Sequence, residues 1–565
     1  MPLVATLPPV QPSNVPPPPA AGPERRLPPW AGWLTAYGLL FAYFYSFLDY
    51  GLNLWDEGGF AYGTLRTWRG EMALRDFNPI GYLPGRYLYA AWFFDLFGVS
   101  LHSLRLSVAV LTPLMVLLVY AVARRLMPRG FALLAAAMML SAPSMYYNRF
   151  YPFFCVLILW TLVRWLESPR FGRSLALAGA ILLCVPFKME VSLFSALLVL
   201  VLYPWRPGVA SGQETAPPRA GTRWVLGGVL GLAGVSVLVY FWRYGIFQKF
   251  ADIVIETRTV WGNPFPDLFP FVELLKTLGP DALFERLMFY LPLGVYAAVM
   301  IQVGLRWMRN GSPGLRELTL LAVAGMGLCA YGLVIWRAGF DNLVRTLPAF
   351  YILASYLLWQ GHTLLVRWFS GRRPSPSRWA PERVLAFFLV ALPVLVFLYE
   401  MNVVHGFYVG SIGALRHPAE PLELPRARVW AHPFEARWVR GVVRAVERFS
   451  QPGDPILALP LNPLFYFLTG RENPIVHDWI LPGMLDESGR REVVRQMTVR
   501  MPRLVILADI PIDGREERRL RNYAPEIDHF VRQYYRFLGQ AGFFQIWIPL
   551  GRPGSNPADL TSPFQ

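Results

Sequence analysis

Leu54-Trp55-Asp56-Glu57-Gly58-Gly59 sets two adjacent carboxylates directly after the first long apolar run. Carboxylates at a membrane surface are costly when partly desolvated, so Asp56 and Glu57 need a reason to be there. A local reason exists: Asp56 caps a helix running to Trp68, and Glu57 stands in its first turn. A chemical role is compatible with that, because a cap holds a carboxylate rigidly. Charged residues also recur at the ends of other apolar runs. They are Arg86, Lys188 and Glu190 in Phe187-Lys188-Met189-Glu190, Arg149, and Arg337 and Arg345 on either side of one turn. Each cation there either snorkels to lipid headgroups or holds an anion. The seven histidines form no i, i+4 pair and no cluster with cysteine, although His102 and His405 lie near the same surface as Asp56. Cys155, Cys184 and Cys329 fall inside apolar runs and offer neither a disulfide framework nor metal-ligand spacing.

The elements that must position these residues are membrane helices. Of 565 residues 54% are hydrophobic, 15% aromatic and only 16% charged, against about a quarter charged in a soluble chain. That excludes a single soluble enzyme. The net charge of +16 lies in short loops between apolar runs, which argues against nucleic acid as a partner. Residues 1–30 hold 11 of the 51 prolines and read as a flexible tail. About eleven spanning helices follow, starting near Ala31, Leu106, Phe131, Phe150, Ser174, Val191, Trp224, Leu287, Leu318, Thr346 and Val384. With the N-terminus cytoplasmic, every inside loop carries three or more arginines, Arg124/Arg125/Arg129 among them. Asp49 to about Ser103 is then a long outside loop, and Tyr87–Phe97 in it is too short to span and reads as an in-plane amphipathic helix. From His405 the pattern changes. Strand-like runs at 455–460, 504–510 and 543–549 alternate with helical ones at 435–449, 488–501 and 525–539, which predicts a compact α/β domain. The expected organisation is a tail over 1–30, a membrane domain over 31–404, an α/β domain over 405–552 and a second tail over 553–565.

The stretch from Asp56 to Gly98, DEGGFAYGTLRTWRGEMALRDFNPIGYLPGRYLYAAWFFDLFG, resembles the first outer loop of the GT-C membrane glycosyltransferases. Within these it is similar to the branch of protein O-mannosyltransferases and the aminoarabinose transferase acting on lipid A. The shared features are an Asp-Glu motif after the first span, an in-plane helix, a Pro-rich turn and a second in-plane helix ending in Phe-Gly. The resemblance covers 31–200 and is diffuse to about 400; Leu464–Arg471 resembles a phrase of the outer domain in many bacterial members. It implies the GT-C fold and an inverting glycosyltransferase that takes a sugar from a polyprenyl-phosphate donor. The acceptor is an envelope glycan, lipid or protein outside the cytoplasmic face of a prokaryotic plasma membrane. Asp56 matches the family's catalytic acidic residue, and the resemblance gives it the role of general base, with Glu57 orienting the acceptor or holding Asp56. Arg86, Lys188, Arg345, Arg149 and Arg337 are the candidates to neutralise the departing phosphate, and Glu190 is a candidate acid. Many relatives carry Arg-x-Asp near the outer end of the third span, where this chain reads Tyr146-Tyr147-Asn148-Arg149-Phe150. No obligatory cofactor is therefore expected, with a divalent cation left open. A transporter of lipid-linked saccharides and a non-catalytic envelope scaffold are the alternatives. The first predicts paired halves and mid-membrane charges, whereas here the charges stand at the ends of spans.

Overall fold

A computed structural model describes residues 29–80, 82–140, 150–205, single positions between 227 and 247, 280–334, 340–370, 380–401 and 418–550. Six of its helices are long and apolar enough to cross a membrane: 101–126, 150–167, 287–310, 315–332, 348–370 and 381–399. This is a multi-pass membrane protein. Shorter helices occupy other expected spans: α1 (Pro29–Tyr45), Arg129–Met138, Phe171–Cys184 and Met189–Leu202. The expected seventh span, from Trp224, falls largely outside the described residues. Where a helix meets lipid its outer face stays apolar: Phe387, Phe388, Leu392 and Leu395 are each more than 60% exposed on the last span, the reverse of a water-facing helix.

Two helices fill the first long loop. α2 (Asp56–Trp68) is buried along almost its whole length. α3 (Gly85–Phe97) buries Tyr87, Ala90, Ala91 and Phe94 while exposing Leu88, Trp92 and Leu96. The exposed set recurs every fourth residue, so one stripe of α3 is apolar and unpacked, as an in-plane helix requires. Asp95, the acid in this otherwise apolar run, accepts a hydrogen bond from Trp68 Nε1 at 2.8 Å. The end of α2 is thereby tied to α3.

The C-terminal region opens with an antiparallel hairpin, β1 (Glu420–Leu424) and β2 (Ala427–Ala431), and continues to a four-stranded sheet. The sheet order is β3 (Leu457–Leu459), β4 (Val505–Ala508), β6 (Phe544–Pro549), β5 (Tyr535–Ala541), with β3 and β4 parallel and the other pairs antiparallel. Helices Pro433–Phe449, Glu487–Val499 and Pro525–Tyr534 accompany it. One expectation is corrected: the helical stretch read to Gly539 stops at Tyr534, and Tyr535–Ala541 is a strand. Its aromatic residues pair across β6, and Gly542, at φ +62°, closes the hairpin in a conformation that favours glycine.

This region is seated directly on the first loop. Gly51 N–H donates to Trp430 O at 2.6 Å and Trp430 N–H to Asp49 O at 2.7 Å. Asn78 N–H reaches Val476 O at 3.2 Å, and Leu101 N–H reaches Arg426 O at 2.8 Å. Tyr50 and Trp430 stack with their centroids 6.2 Å apart. Main-chain bonds between segments so remote in sequence fix α2 between the membrane helices and the α/β region.

Candidate active site

The turn before α2 explains why the helix starts where it does. Asn53 Oδ1 accepts from Trp55 N–H at 3.1 Å and Asp56 N–H at 2.9 Å, so Asn53 rather than Asp56 supplies the cap. That leaves the Asp56 side chain without a structural task. It is half-buried and makes no hydrogen bond or ion pair among the described residues.

Glu57 is placed quite differently. It is 3% exposed and accepts both arms of Arg105, from Nε at 2.6 Å and Nη2 at 2.8 Å. Arg105 rises from the 101–126 helix, is itself 3% exposed, and also donates to Leu48 O at 3.0 Å and Gly51 O at 2.8 Å. One fork therefore clamps the preceding turn and the first turn of α2 together. The adjacent acids have separate fates, one locked and one open.

On a helix the side chains at i+3 and i+4 are the neighbours of residue i. For Asp56 these are Gly59 and Phe60. The guanidinium of Arg86 lies 4.5 Å from the centre of the Phe60 ring, 4.0 Å from Tyr82 and 5.0 Å from Tyr87. Arg86 is 2% exposed, and its buried Nε and Nη1 have no hydrogen-bond partner among the described residues. Aromatic faces attract a cation but accept none of its N–H hydrogen bonds in the way an anion does. A buried guanidinium without a counter-ion is a site prepared for one.

The start of α3 abuts the turn that carries Lys188. Gly85 N–H donates to Pro186 O at 2.9 Å, and a Cβ on Gly85 would lie 2.6 Å from that oxygen, so only glycine allows the approach. Phe187 packs against Phe150, Phe154 and Tyr89. Lys188, with its ammonium 3.3 Å from Glu190 Oε1, stands at this same corner, more exposed than Arg86. Arg345 is 5% exposed and donates from Nη1 to Asn342 Oδ1 at 3.3 Å. Arg149, Arg337 and His405 lie outside the described residues. His102 is engaged with Asp49, Nδ1 to Oδ1 at 2.9 Å. The structure thus brings Asp56, Glu57, Arg86 and the Lys188–Glu190 turn to one end of α2.

The far end of α2 belongs to the α/β region. Arg66 bonds Asp478 Oδ1 at 3.0 Å, Glu71 Oε2 at 2.7 Å and Asp76 O at 3.1 Å. Asn473 N–H donates to the Tyr62 hydroxyl at 2.9 Å. Burial raises the Asp478 carboxyl, and Arg66 pulls the other way. Between the two ends, Gly58 and Gly59 admit the roof: a Cβ on Gly58 would lie 2.7 Å from Leu464 N, and one on Gly59 2.0 Å from Trp479 Cζ2. Arg105, Arg66, Asn53 and Trp479 are thus site-building residues that sequence reasoning missed. The paired glycines at the start of a helix were the available signal, since that placement weakens a helix unless something approaches closely.

Among the described residues no three His, Cys, Asp or Glu side chains gather as a metal site. The acid nearest Asp56 in sequence, Glu57, is committed to Arg105. The arrangement offers a half-buried carboxylate able to take a proton and, over the aromatic ring one helical turn on, a desolvated cation able to take an anion.

No protein-family model matches the sequence, and no curated protein matches it either. Among solved structures the chain is similar to ArnT from Cupriavidus metallidurans in the apo state, with a TM-score of 0.51 and 13% identity over 92% of this chain and 98% of that one. The chain has the GT-C fold. ArnT bound to undecaprenyl phosphate gives a TM-score of 0.49 at 13% identity, over 92% and 98% of the two chains. The archaeal oligosaccharyltransferase AglB from Archaeoglobus fulgidus, in complex with an inhibitory peptide and a dolichol-phosphate, gives 0.45 at 12% identity, over 92% and 75%. At such identities likeness speaks for the GT-C architecture alone, and the chemistry must be argued from the residues.

Proposed function

We propose that this chain is an inverting glycosyltransferase. It moves a sugar from a polyprenyl-phosphate donor to an envelope glycan, lipid or protein acceptor on the extracytoplasmic side of a prokaryotic plasma membrane. The observation that carries the reading is the Asp56 carboxylate, unpaired among the described residues, one helical turn from Phe60, whose ring is covered by the buried Arg86 with Nε and Nη1 unpartnered among the same residues.

In the reaction, an acceptor hydroxyl or amine attacks the anomeric carbon from the face opposite the phosphate. Its proton passes to Asp56 as the new bond to carbon forms. The carbon–oxygen bond to phosphate breaks, and its electron pair leaves with the polyprenyl phosphate. A phosphate monoester is a good leaving group, so no general acid is needed. What helps is positive charge fixed in advance where negative charge grows, in a setting of low dielectric. Arg86 has this character, held by three aromatic rings, its Nε and Nη1 without a hydrogen-bond partner among the described residues. Lys188 is proposed as the more exposed, entering-side cation. Glu57 keeps α2 in register through Arg105 and touches no substrate. No step is routed through a metal.

Undecaprenyl phosphate is a suitable probe. At a hundred times its Kd it should stabilise the purified protein by about 2.7 kcal/mol. Wild type and Asp56→Asn should both show the rise in unfolding temperature, and Arg86→Gln should not. Mass spectrometry of envelope glycolipids, glycans and glycoproteins should reveal a product in wild-type cells that is absent with Asp56→Asn. A persisting product would remove Asp56 as the base. Movement of lipid-linked sugar across vesicles without product would establish a transporter instead.

A further inference from the structure

The turn of α2 that carries Asp56 is flanked by two buried donors, and only one of them has been used so far. Arg86 covers Phe60, at i+4 from Asp56. Trp479, from the α/β region, covers Gly59, at i+3, with Cζ2, Cη2 and Cε2 at 2.0, 2.6 and 2.8 Å from the position a Cβ would take there. Cε2 is bonded to the indole nitrogen, so Nε1 lies at this same turn. Trp479 is 8% exposed, and Nε1 is buried without a hydrogen-bond partner among the described residues. Tyr82, whose ring lies 4.0 Å beneath the Arg86 guanidinium, also packs against the hydrophobic cluster containing Trp479. The two orphaned donors therefore lie over Gly59 and Phe60, the two α2 positions that neighbour Asp56 on the helix. A buried indole N–H normally finds a partner, and the partner has to be something that occupies this corner.

We infer that Trp479 is a binding residue for the transferred sugar, its Nε1–H donating to a sugar hydroxyl while Arg86 holds the phosphate of the same polyprenyl-linked donor. The inference rests on the proposed glycosyltransferase reading and goes beyond it, because it makes the α/β region part of the donor site. The ligand class follows from the pair of donors. Arg86 takes the phosphate, the anomeric carbon must lie between phosphate and Asp56, and the next polar group outward on such a donor is a ring hydroxyl. An indole also presents an apolar face suited to the C–H side of a sugar ring. The acceptor is the competing occupant, and the test separates the two.

The experiment uses full-length protein in detergent and measures binding of bare undecaprenyl phosphate and of undecaprenyl phosphates carrying glucose, mannose, galactose or arabinose. Wild type should bind at least one glycosylated lipid more tightly than the bare one. Trp479→Phe, which keeps an apolar ring and loses the N–H, should lose that preference, weakening the glycosylated lipid roughly five- to tenfold and leaving the bare lipid unchanged. Trp479→His, which retains a ring N–H, should recover part of it. Arg86→Gln should weaken both lipids. If Trp479→Phe prefers the glycosylated lipid as strongly as wild type, Trp479 does not touch the donor sugar and an acceptor contact replaces the proposal. If both Trp479 variants weaken bare and glycosylated lipids alike, the residue is only structural. If wild type shows no preference among the lipids, the sugar site is elsewhere, while wild type binding no polyprenyl phosphate at all would instead sink the glycosyltransferase reading.

Discussion

Replacing Glu57 by Gln tests whether the second acid of the pair acts on substrate or on the fold. Its carboxylate is 3% exposed and carries two charge-assisted bonds from Arg105, at 2.6 and 2.8 Å. The substitution removes the charge and leaves Arg105, equally buried, without its carboxylate and with backbone carbonyls among its remaining acceptors. Breaking one side of a buried ion pair costs about 3–5 kcal/mol, because the surviving charge is left uncompensated. That cost falls on the turn at 48–55, on the first turn of α2 and on the start of the 101–126 helix that carries Arg105, not on the other spanning helices. Amide hydrogen exchange should therefore accelerate there by roughly a hundred- to a few thousandfold, at about 1.4 kcal/mol per factor of ten. The other spans should keep their protection. Arg105→Gln should produce the same local acceleration, and the double variant should fall well short of additive. Exchange–mass spectrometry on peptides covering 46–62 reads the effect directly. Unchanged protection in Glu57→Gln together with lost transfer would overturn the reasoning and return Glu57 to the chemistry.

Three further outcomes are expected. Gly59→Ala drives a methyl into Trp479 at 2.0 Å, so it should loosen the α/β region by about 1–3 kcal/mol; limited proteolysis between the membrane helices and this region should quicken, and Trp479→Leu should restore resistance. Asn53→Ala removes the cap on two amides and should cost α2 about 0.5–2 kcal/mol, seen as roughly two- to thirtyfold faster exchange in its first turn only. Burial pushes the His477 imidazole down to about 4, so the folded state resists a proton that the unfolded chain takes up below about 6.5. Its contribution to stability is complete above that pH and is lost as pH falls from 6.5 towards 4, about 2 kcal/mol by pH 5. The raised Asp478 carboxyl works in the opposite sense, its contribution declining as pH rises through its folded value. A thermal-unfolding series from pH 7 to 5 should therefore fall for wild type and flatten for His477→Asn; equal slopes would refute the assignment to His477.

What was legible in the sequence was whatever is local. Apolar run length located the spans, since a helix in lipid must satisfy its own backbone. The helix from Asp56 to Trp68 and the short apolar helix ending at Phe97 were readable from composition and period. What could not be read was every assignment that depends on a remote partner. Asn53, not Asp56, caps α2, because the turn geometry set by Arg105 decides which side chain reaches the amides. Arg105 reads as one more cation at the end of a span, and nothing near it in sequence names Glu57 as its partner. The strand at 535–541 was mistaken for the end of a helix because its partner β6 overrides the local propensity. Trp479 sits 420 positions after the glycine it covers, and no local period encodes such a meeting.

That separation bears on when the protein becomes competent. The carboxylate at 56 is synthesised long before the anchors of its helix, for Asp478 and Asn473 emerge 412 and 411 residues after Arg66 and Tyr62. Until they arrive α2 lacks its cover, and contacts this distant form late because the intervening chain must first be ordered. A ribosome-bound or prematurely terminated chain would hold the acid but not the cover over its helix. The seating of α2 is thereby made conditional on chain translated long after it.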